Sequence, residues 1–180
     1  MTNYPESSKV QEAAYFSAKS YYLASPKYSR DQEDTYKALT AYQNFIDKYP
    51  KSELLEEANK DYAELNRKLQ FKDFEVARLY YHREKYNSAI KAFETFNEDH
   101  LGSEFKEEAY YYTFKSTYEL GMRSVLSKKE ERISDALLSH KKFQKTFPES
   151  EKLKEVDALG LKLQEELVKT KELLATISQK

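Results

Sequence analysis

The chain of 180 residues contains 30 basic and 31 acidic side chains, and this balance excludes the strongly basic surface typical of nucleic-acid-binding proteins. Charged residues make up 34% of the sequence, whereas only 3 residues are glycine and 4 are proline. That composition favours an all-α protein over a β-sandwich or barrel with many tight turns. Without cysteine, the chain can form neither a disulfide framework nor a cysteine zinc site.

The spacing of apolar residues and the positions of helix-breaking residues predict seven helices along the chain. They cover residues 7–24, 33–49, 52–82, 86–99, 103–126, 131–146 and 151–177. The first two are separated by a polar loop, Ala24–Asp34. Neither glycine nor proline occurs between Ser52 and His82, so this segment is predicted to form one long helix.

A short motif recurs at joints where one helix is predicted to end and the next to begin, near residues 4–7, 49–52, 100–103 and 147–150. Three copies contain an aromatic residue, a proline and a serine. Proline cannot continue the preceding helix because it lacks an N–H, and the serine is suited to cap the next helix. The third joint lacks the proline, and there Gly102 is expected to end the helix in a left-handed conformation.

The residues that precede the last three joints also repeat, with the same offsets from the joint serine. The equivalent sets are Ala38, Ala89 and Ala136; Leu39, Ile90 and Leu137; Tyr42, Phe93 and His140; Phe45, Phe96 and Phe143; and Tyr49, His100 and Phe147. Within each copy these residues lie at i, i+1, i+4, i+7 and i+11, which places them on one stripe of a helix. Such self-similarity at a long period is typical of helical-repeat arrays.

A second pattern identifies the type of repeat. Small and aromatic residues are spaced as in the two antiparallel helices of a tetratricopeptide repeat. They are Val76, Ala77, Tyr80, Tyr86, Ala89 and Phe93. The sequence therefore predicts an all-α fold in which antiparallel helix pairs stack as a tetratricopeptide-like right-handed superhelical solenoid, forming a single domain over residues 1–180.

The first joint begins almost at residue 1, with no helix-forming segment before it. This favours a fragment of a longer array. Removal of a helix from an array exposes the apolar face that it covered. On the first helix, Val10, Ala14 and either Phe16 or Tyr21 are therefore expected to be exposed or covered by another chain.

The sequence contains no arrangement of residues typical of an enzyme active site, a metal site or a cofactor site. His82, His100 and His140 are too widely separated for a local metal motif, and the isolated glycines form no phosphate-binding loop. We therefore expect a protein without catalytic residues, bound metal or cofactor.

Tyrosines are clustered at residues 21–22, 80–81 and 110–112. Adjacent helical residues point about 100° apart, so no cluster fits wholly on one narrow buried stripe. The clusters either form the rims of a wide core or place one tyrosine each on an inner binding surface. Helical spacing from Ala77 and Tyr80 predicts that nearby residues share an exposed inner face. The candidate partner-binding residues are Phe74, Arg78, Tyr81, His82 and Tyr111.

Several of these features follow one another along the chain in the order found in a known family. A polar loop with Ser29–Asp31 is followed by Ala38, Phe45, Tyr49–Ser52 and Ala58, then by Asp73, Val76-Ala77 and Tyr80-Tyr81. In this order the chain resembles the BamD family, tetratricopeptide lipoproteins of the outer-membrane β-barrel assembly machinery. The resemblance extends from about Val10 to the last helix and is clearest over residues 28–96.

The resemblance implies a non-enzymatic scaffold at the periplasmic face of the outer membrane. It implies binding to the periplasmic domains of a BamA-like barrel subunit, with other assembly-machinery components and unfolded outer-membrane proteins as further candidate partners. Attachment to the membrane would use an N-terminal lipid anchor that this fragment lacks, and no nucleic acid is implied.

Two alternatives remain open from the repeat pattern. One is another periplasmic tetratricopeptide protein, of the type that coordinates the Tol–Pal system, whose repeats also contain the YPxS motif. The other is a cytoplasmic tetratricopeptide module that binds peptide C-termini, which usually requires a cluster of inward lysine and asparagine side chains.

Overall fold

Residues 8–178, which the computed structural model describes, form seven α-helices and contain no β-strand. The helices are α1 (Ser8–Ala24), α2 (Glu33–Lys48), α3 (Leu55–His82), α4 (Tyr86–Asp99), α5 (Lys106–Met122), α6 (Leu126–Thr146) and α7 (Leu153–Ser178). Neighbouring helices pack in pairs, as in a tetratricopeptide-like solenoid, so the predicted fold class is confirmed. None of these helices combines the length and the apolar composition needed to cross a membrane.

The chain divides into two compact units, Met1–Lys72 and Asp73–Lys180, with the boundary inside α3. In the first unit, α1, α2 and the first part of α3 surround one core. In the second unit, the core around α4 includes the last part of α3 and the start of α5, and a further core joins α5, α6 and α7. The prediction of a single domain over residues 1–180 stays a prediction.

The repeated stripe found in the sequence forms the buried side of α2, α4 and α6. Its small residue is fully buried in each copy, at Ala38, Ala89 and Ala136. Its phenylalanine is buried in each copy as well, at Phe45, Phe96 and Phe143. Small side chains allow two helix backbones to approach closely, while the aromatic rings fill the space on either side. The repeat thus reflects one packing arrangement used three times.

The three described joints share one hydrogen-bonded turn, centred on Ser52, Ser103 and Ser150. The N–H of each serine donates to the carbonyl three residues earlier, at 3.0–3.2 Å. The hydroxyl of each serine accepts from the N–H two residues later, at 3.1–3.3 Å. Each serine therefore caps this turn, but the prediction that it is the N-cap of the next helix is wrong, since the N-cap of α5 is Phe105. The α-helices themselves begin three residues after the serine, because the turn comes first. The first joint lies outside the described residues.

The expected left-handed conformation of Gly102 is wrong, since no described glycine has a positive φ. The third joint instead uses the same turn as the joints that contain proline. His100, which ends α4, has φ −124° and ψ 57°, and Tyr49, which precedes Pro50, has φ −126° and ψ 57°. Because the serine hydroxyl already accepts a hydrogen bond from the backbone of the turn, the turn forms without a left-handed glycine.

This similarity leads to a prediction for Leu101→Pro. Leu101 occupies the position of Pro50, its side chain is exposed, and the residue before it already has the backbone torsions found before Pro50. Proline should therefore fit without strain and raise the free energy of unfolding by about 0.5–1 kcal/mol, because it restricts the unfolded chain. Urea denaturation measures the change. Pro50→Leu is the matched control and should lower stability by a similar amount; a loss of stability with Leu101→Pro would contradict the shared geometry.

The largest difference from the predicted helix bounds lies between α5 and α6. The sequence predicted an end at residue 126 and a start at residue 131, whereas α5 ends at Met122 and α6 begins at Leu126. The charged residues at the start of α6 are helical because two of them contact side chains outside this segment. Lys129 forms an ion pair with Glu166 of α7, and Arg132 donates to the hydroxyl of Ser124 at 2.8 Å. Charged side chains with such partners favour a helix over the predicted loop.

The expected exposure on α1 is observed for three of the four residues. Val10, Phe16 and Tyr21 have exposed side chains. The expectation is wrong for Ala14, which is partly buried because it packs against the core of the first unit.

Candidate partner-binding surface

The structure places three of the five predicted site residues around a single ring, that of Tyr112 on α5. The ring centroid of Tyr81 lies 5.1 Å from that of Tyr112, and the centroid of Tyr111 lies 5.3 Å from it. The ring of His82 lies 6.3 Å away. We call these four residues the tyrosine surface. Tyr112 was part of a tyrosine cluster in the sequence but was not predicted to connect the others.

The tyrosine surface has a rigid support in the core. The ring of Tyr112 stacks on that of Phe93 at 5.7 Å, with only 8° between their planes. Phe93 is fully buried on α4. Rings that rest on a close-packed core keep their orientation, so little conformational entropy is lost when they bind a partner.

Phe74 is not part of the exposed surface, and the expectation of its exposure is wrong. Only 4% of Phe74 is accessible. Its ring packs against those of Phe93, Phe96 and Phe105, at centroid distances of 5.6–6.0 Å. Helical spacing placed Phe74 on the side of Tyr81, but α4 and the joint before α5 cover that part of the helix. Phe74 supports the tyrosine surface from below.

Arg78 lies on the same helix as Tyr81 and remains accessible to solvent. Its guanidinium donates to the carboxylate of Glu75 at 2.9 Å, and about 40% of its side chain is exposed. His82, four residues further along α3, is also exposed. Residues four apart on a helix lie on one side of it, so these two form a polar edge next to Tyr81.

Tyr111 is held by two charged residues that sequence reasoning missed. Its hydroxyl donates to the carboxylate of Glu155 on α7 at 2.9 Å, and Lys115 reaches the same carboxylate at 2.8 Å. Burial, together with the hydrogen bond to Glu155, raises the pKa of the Tyr111 hydroxyl. The hydrogen bond from Lys115 lowers the pKa of Glu155 below its usual value. The stability that this ion pair contributes is therefore present at neutral pH and is lost as the pH falls through the lowered pKa.

The first unit contains the same three residue types at the equivalent positions of the repeat, namely Tyr15, Lys19 and Glu57. There the ammonium of Lys19 lies 3.7 Å from the carboxylate of Glu57 and 2.7 Å from a second carboxylate, that of Asp61. The arrangement thus fastens the first helix of one pair to the first helix of the next. Its signal in the sequence is a tyrosine four residues before a lysine, with a glutamate five residues after the next joint serine.

The remaining histidines have carboxylate neighbours. His100 lies 3.1 Å from Asp73, and His140 lies 3.0 Å from Asp157. Among residues 8–178, no group of three or more histidine, aspartate or glutamate side chains is arranged so that it could hold a metal ion.

Comparison with models of known protein families identifies a family for this chain. A family model described as YfiO, outer membrane lipoprotein, matches residues 1–133. The matched region is about three quarters of the chain and includes every residue of the tyrosine surface, while Glu155 lies beyond it. A comparison with curated proteins found no match.

Proposed function

Since the chain belongs to the YfiO family of outer membrane lipoproteins, the family of BamD, we propose that it is a non-enzymatic scaffold in outer-membrane β-barrel assembly. In this proposal it binds the periplasmic domains of a BamA-like barrel subunit at the periplasmic face of the outer membrane. Other assembly-machinery components and unfolded outer-membrane proteins are further partners in the proposal. Family membership favours this function over the Tol–Pal coordinator and the cytoplasmic peptide-binding module.

The observation that supports the proposal best is the tyrosine surface on its buried support. Tyrosine provides a large contact area with few rotamers, and arginine is the charged residue most often enriched where binding energy is concentrated. Here Tyr81 and Tyr111 are held in place by Tyr112, while Arg78 and His82 offer accessible polar groups beside them. Such an arrangement suits a protein partner better than a small molecule.

The residues divide into those that would contact the partner and those that support them. Arg78, His82 and the exposed edge of Tyr81 would make the contacts. Tyr111 would contribute its ring, because its hydroxyl is already bonded to Glu155. Phe74 would support the tyrosine surface from the core and would not contact the partner.

Replacing Arg78 and His82 together with alanine should weaken binding to the periplasmic domains of the BamA homologue of the same organism at least tenfold. This is the loss of about 1.4 kcal/mol expected when an arginine anchor is removed. The helical spectrum and the melting temperature are recorded for each variant, because removal of Arg78 leaves the largely buried carboxylate of Glu75 without its ion-pair partner. Binding is measured by isothermal titration calorimetry with the purified chain and the purified partner domains.

Lys91→Ala with Thr95→Ala provides the matched control, because these exposed residues are also four apart on a helix and their removal changes the charge equally. The control variant should bind as the wild type does. Equal weakening by both variants would show that the tyrosine surface is not the binding site. If the folded wild-type chain fails to bind folded partner domains, the proposed function itself is wrong.

A further inference from the structure

A groove lies between α4 and α6 in the second unit, and α5 forms its floor. We call it the α4–α6 groove. It encloses about 870 Å³, a volume typical of ligand-binding clefts. The three helices that form it each have a helix before and after them in the chain, so the groove is not the uncovered end of an array.

The floor of the α4–α6 groove is uncharged. Four residues on one side of α5 form it, namely Tyr110, Thr113, Thr117 and Leu120. Both threonine hydroxyls donate to carbonyls of α5 itself at 2.8 Å, so neither requires a partner in the groove. Two leucines at its edges are open to solvent, since Leu101 is 72% exposed and Leu138 is 65% exposed. The groove therefore offers apolar surface to a ligand.

The walls of the groove carry carboxylates that form no ion pair within residues 8–178. Glu94 and Glu98 lie on the α4 wall, and both are exposed. Glu131 and Asp135 lie on the α6 wall and are exposed as well. The members of each pair are four residues apart, and like charges at this spacing destabilise a helix. A cation bound beside either pair would relieve that repulsion.

The basic residues that line the groove all belong to α6, so the α4 wall is purely acidic. Two of the three already contact other groups. Arg132 donates to the hydroxyl of Ser124 at 2.8 Å, and the ammonium of Lys142 lies 5.1 Å from the ring centroid of Tyr110. An acidic wall attracts cations and repels phosphate groups, which excludes nucleic acid and an anionic membrane as ligands of this wall.

We propose that the α4–α6 groove binds a short extended segment of a partner protein in which basic and apolar residues alternate. The 14 residues of α4 span about 21 Å, the length of about six extended residues. Successive side chains of an extended segment point to opposite sides. The apolar ones would face the floor, and the long basic ones would reach the carboxylates of Glu94 and Glu98 at the rim.

The apolar floor favours such a segment over a small polycation, which has no apolar side chain to bury. The tyrosine surface takes no part in this proposal, because none of its residues lines the groove. The proposal is therefore independent of the proposed function.

The probe is a fluorescent peptide with blocked ends and the sequence Lys-Leu-Arg-Leu-Lys-Leu. The full chain should bind it saturably in a fluorescence anisotropy titration, and more weakly at high salt because the charges are exposed. Replacing its three basic residues with glutamate should weaken binding at least tenfold. Replacing its three leucines with serine should do the same.

The matching change in the chain is Glu94→Lys combined with Glu98→Lys, which should weaken peptide binding at least tenfold. Both carboxylates are exposed and unpaired, and lysine is favourable near the end of a helix, so the helical spectrum should be retained. Leu138→Ser tests the apolar contribution separately. It should also weaken binding, and because Leu138 is exposed it should leave the fold intact.

Two control variants make the test specific. Glu165→Lys combined with Glu172→Lys changes the net charge equally, at two exposed positions of α7 outside the groove. This variant should bind the peptide as the wild type does. Arg78→Ala combined with His82→Ala, on the tyrosine surface, should also leave peptide binding unchanged.

Each of the following results would overturn the proposal. The wild-type chain binds no peptide, or binds the serine-substituted peptide as tightly as the original. The Glu94→Lys and Glu98→Lys variant binds like the wild type, or the α7 control weakens binding equally. Spermidine displaces the peptide at equal concentration, which would make a small polycation the ligand. Sedimentation shows a dimer that the Glu94→Lys and Glu98→Lys variant dissociates, which would make a second copy the ligand.

Discussion

Replacing Asp61 with alanine should lower the free energy of unfolding by about 3 kcal/mol, the cost of breaking a buried ion pair by removing one partner. Only 6% of the Asp61 side chain is exposed, and one of its oxygens has three partners. It accepts from the Tyr42 hydroxyl at 2.6 Å, from the Lys19 ammonium at 2.7 Å and from the Tyr15 hydroxyl at 3.4 Å. Burial raises the pKa of both tyrosines, so their hydroxyls stay protonated donors.

Alanine would leave the buried Tyr42 hydroxyl without its acceptor, and an unpaired buried donor is costly, whereas the Tyr15 hydroxyl keeps a hydrogen bond to Glu57. Urea denaturation measures the loss. Glu57→Ala is the matched control, because Glu57 also lies near Lys19, at 3.7 Å, but is half exposed. It should cost less than about 1 kcal/mol. A loss after Asp61→Ala no larger than in the control would show that the buried carboxylate does not hold the first unit together.

A second variant removes the Asp61 carboxylate together with the two tyrosine hydroxyls that donate to it. Asp61→Ala combined with Tyr15→Phe and Tyr42→Phe should recover most of the lost stability, because no buried hydroxyl then lacks a partner. Recovery would show that the cost of Asp61→Ala comes from unpaired polar groups rather than from lost volume. If the triple variant is as unstable as Asp61→Ala, lost packing is the cause.

Gly160→Ala should destabilise the protein by about 2 kcal/mol through overpacking, although alanine is the better helix former by roughly 1 kcal/mol. A Cβ atom at Gly160 would lie 2.7 Å from both Cε1 and Nε2 of His140. That ring is buried, and its Nε2 lies 3.0 Å from the carboxylate of Asp157. It can therefore move aside only by losing this hydrogen bond and disturbing the core between α6 and α7.

The effect of Gly160→Ala on stability should change sign when the imidazole ring of His140 is removed. In a His140→Ala background the added methyl group meets no ring, and Gly160→Ala should raise stability by up to about 1 kcal/mol. Gly102→Ala is a control with the same chemical change, since a Cβ there meets nothing within 4 Å. It should have little effect. Destabilisation of equal size in both backgrounds would exclude the contact with His140 as the cause.

The helices, the joints and the buried stripes could be predicted from the sequence because each depends on residues close together in the chain. A proline or a capping serine acts on the turn next to it, and a stripe reflects the 3.6-residue period of one helix. This is why Ser52, Ser103 and Ser150 each form the predicted joint and hydrogen-bond to the backbone two residues later. It is also why the small and phenylalanine positions of α2, α4 and α6 are buried as the repeat indicated. The family resemblance rests on the same local features.

The candidate site could be predicted only in part, because helical spacing gives the side of a helix but not what covers it. Tyr81, His82 and Tyr111 do meet around one ring. Phe74 does not share their exposure, since residues of α4 and of the next joint cover it. Nothing near Phe74 in the sequence indicates those neighbours.

The sequence by itself determined the all-α repeat, its joints and its family, whereas tertiary structure alone decided which charged and aromatic groups are paired. Asp61 occupies a repeat position where the other copies have Phe16, Tyr112 and Leu159, so its burial among hydroxyls could not be read from the pattern. Glu155 reaches Tyr111 across 44 residues of sequence. Helix formation is governed by hydrogen bonds between residues four apart, but a buried charge is stable only if distant side chains supply its partners.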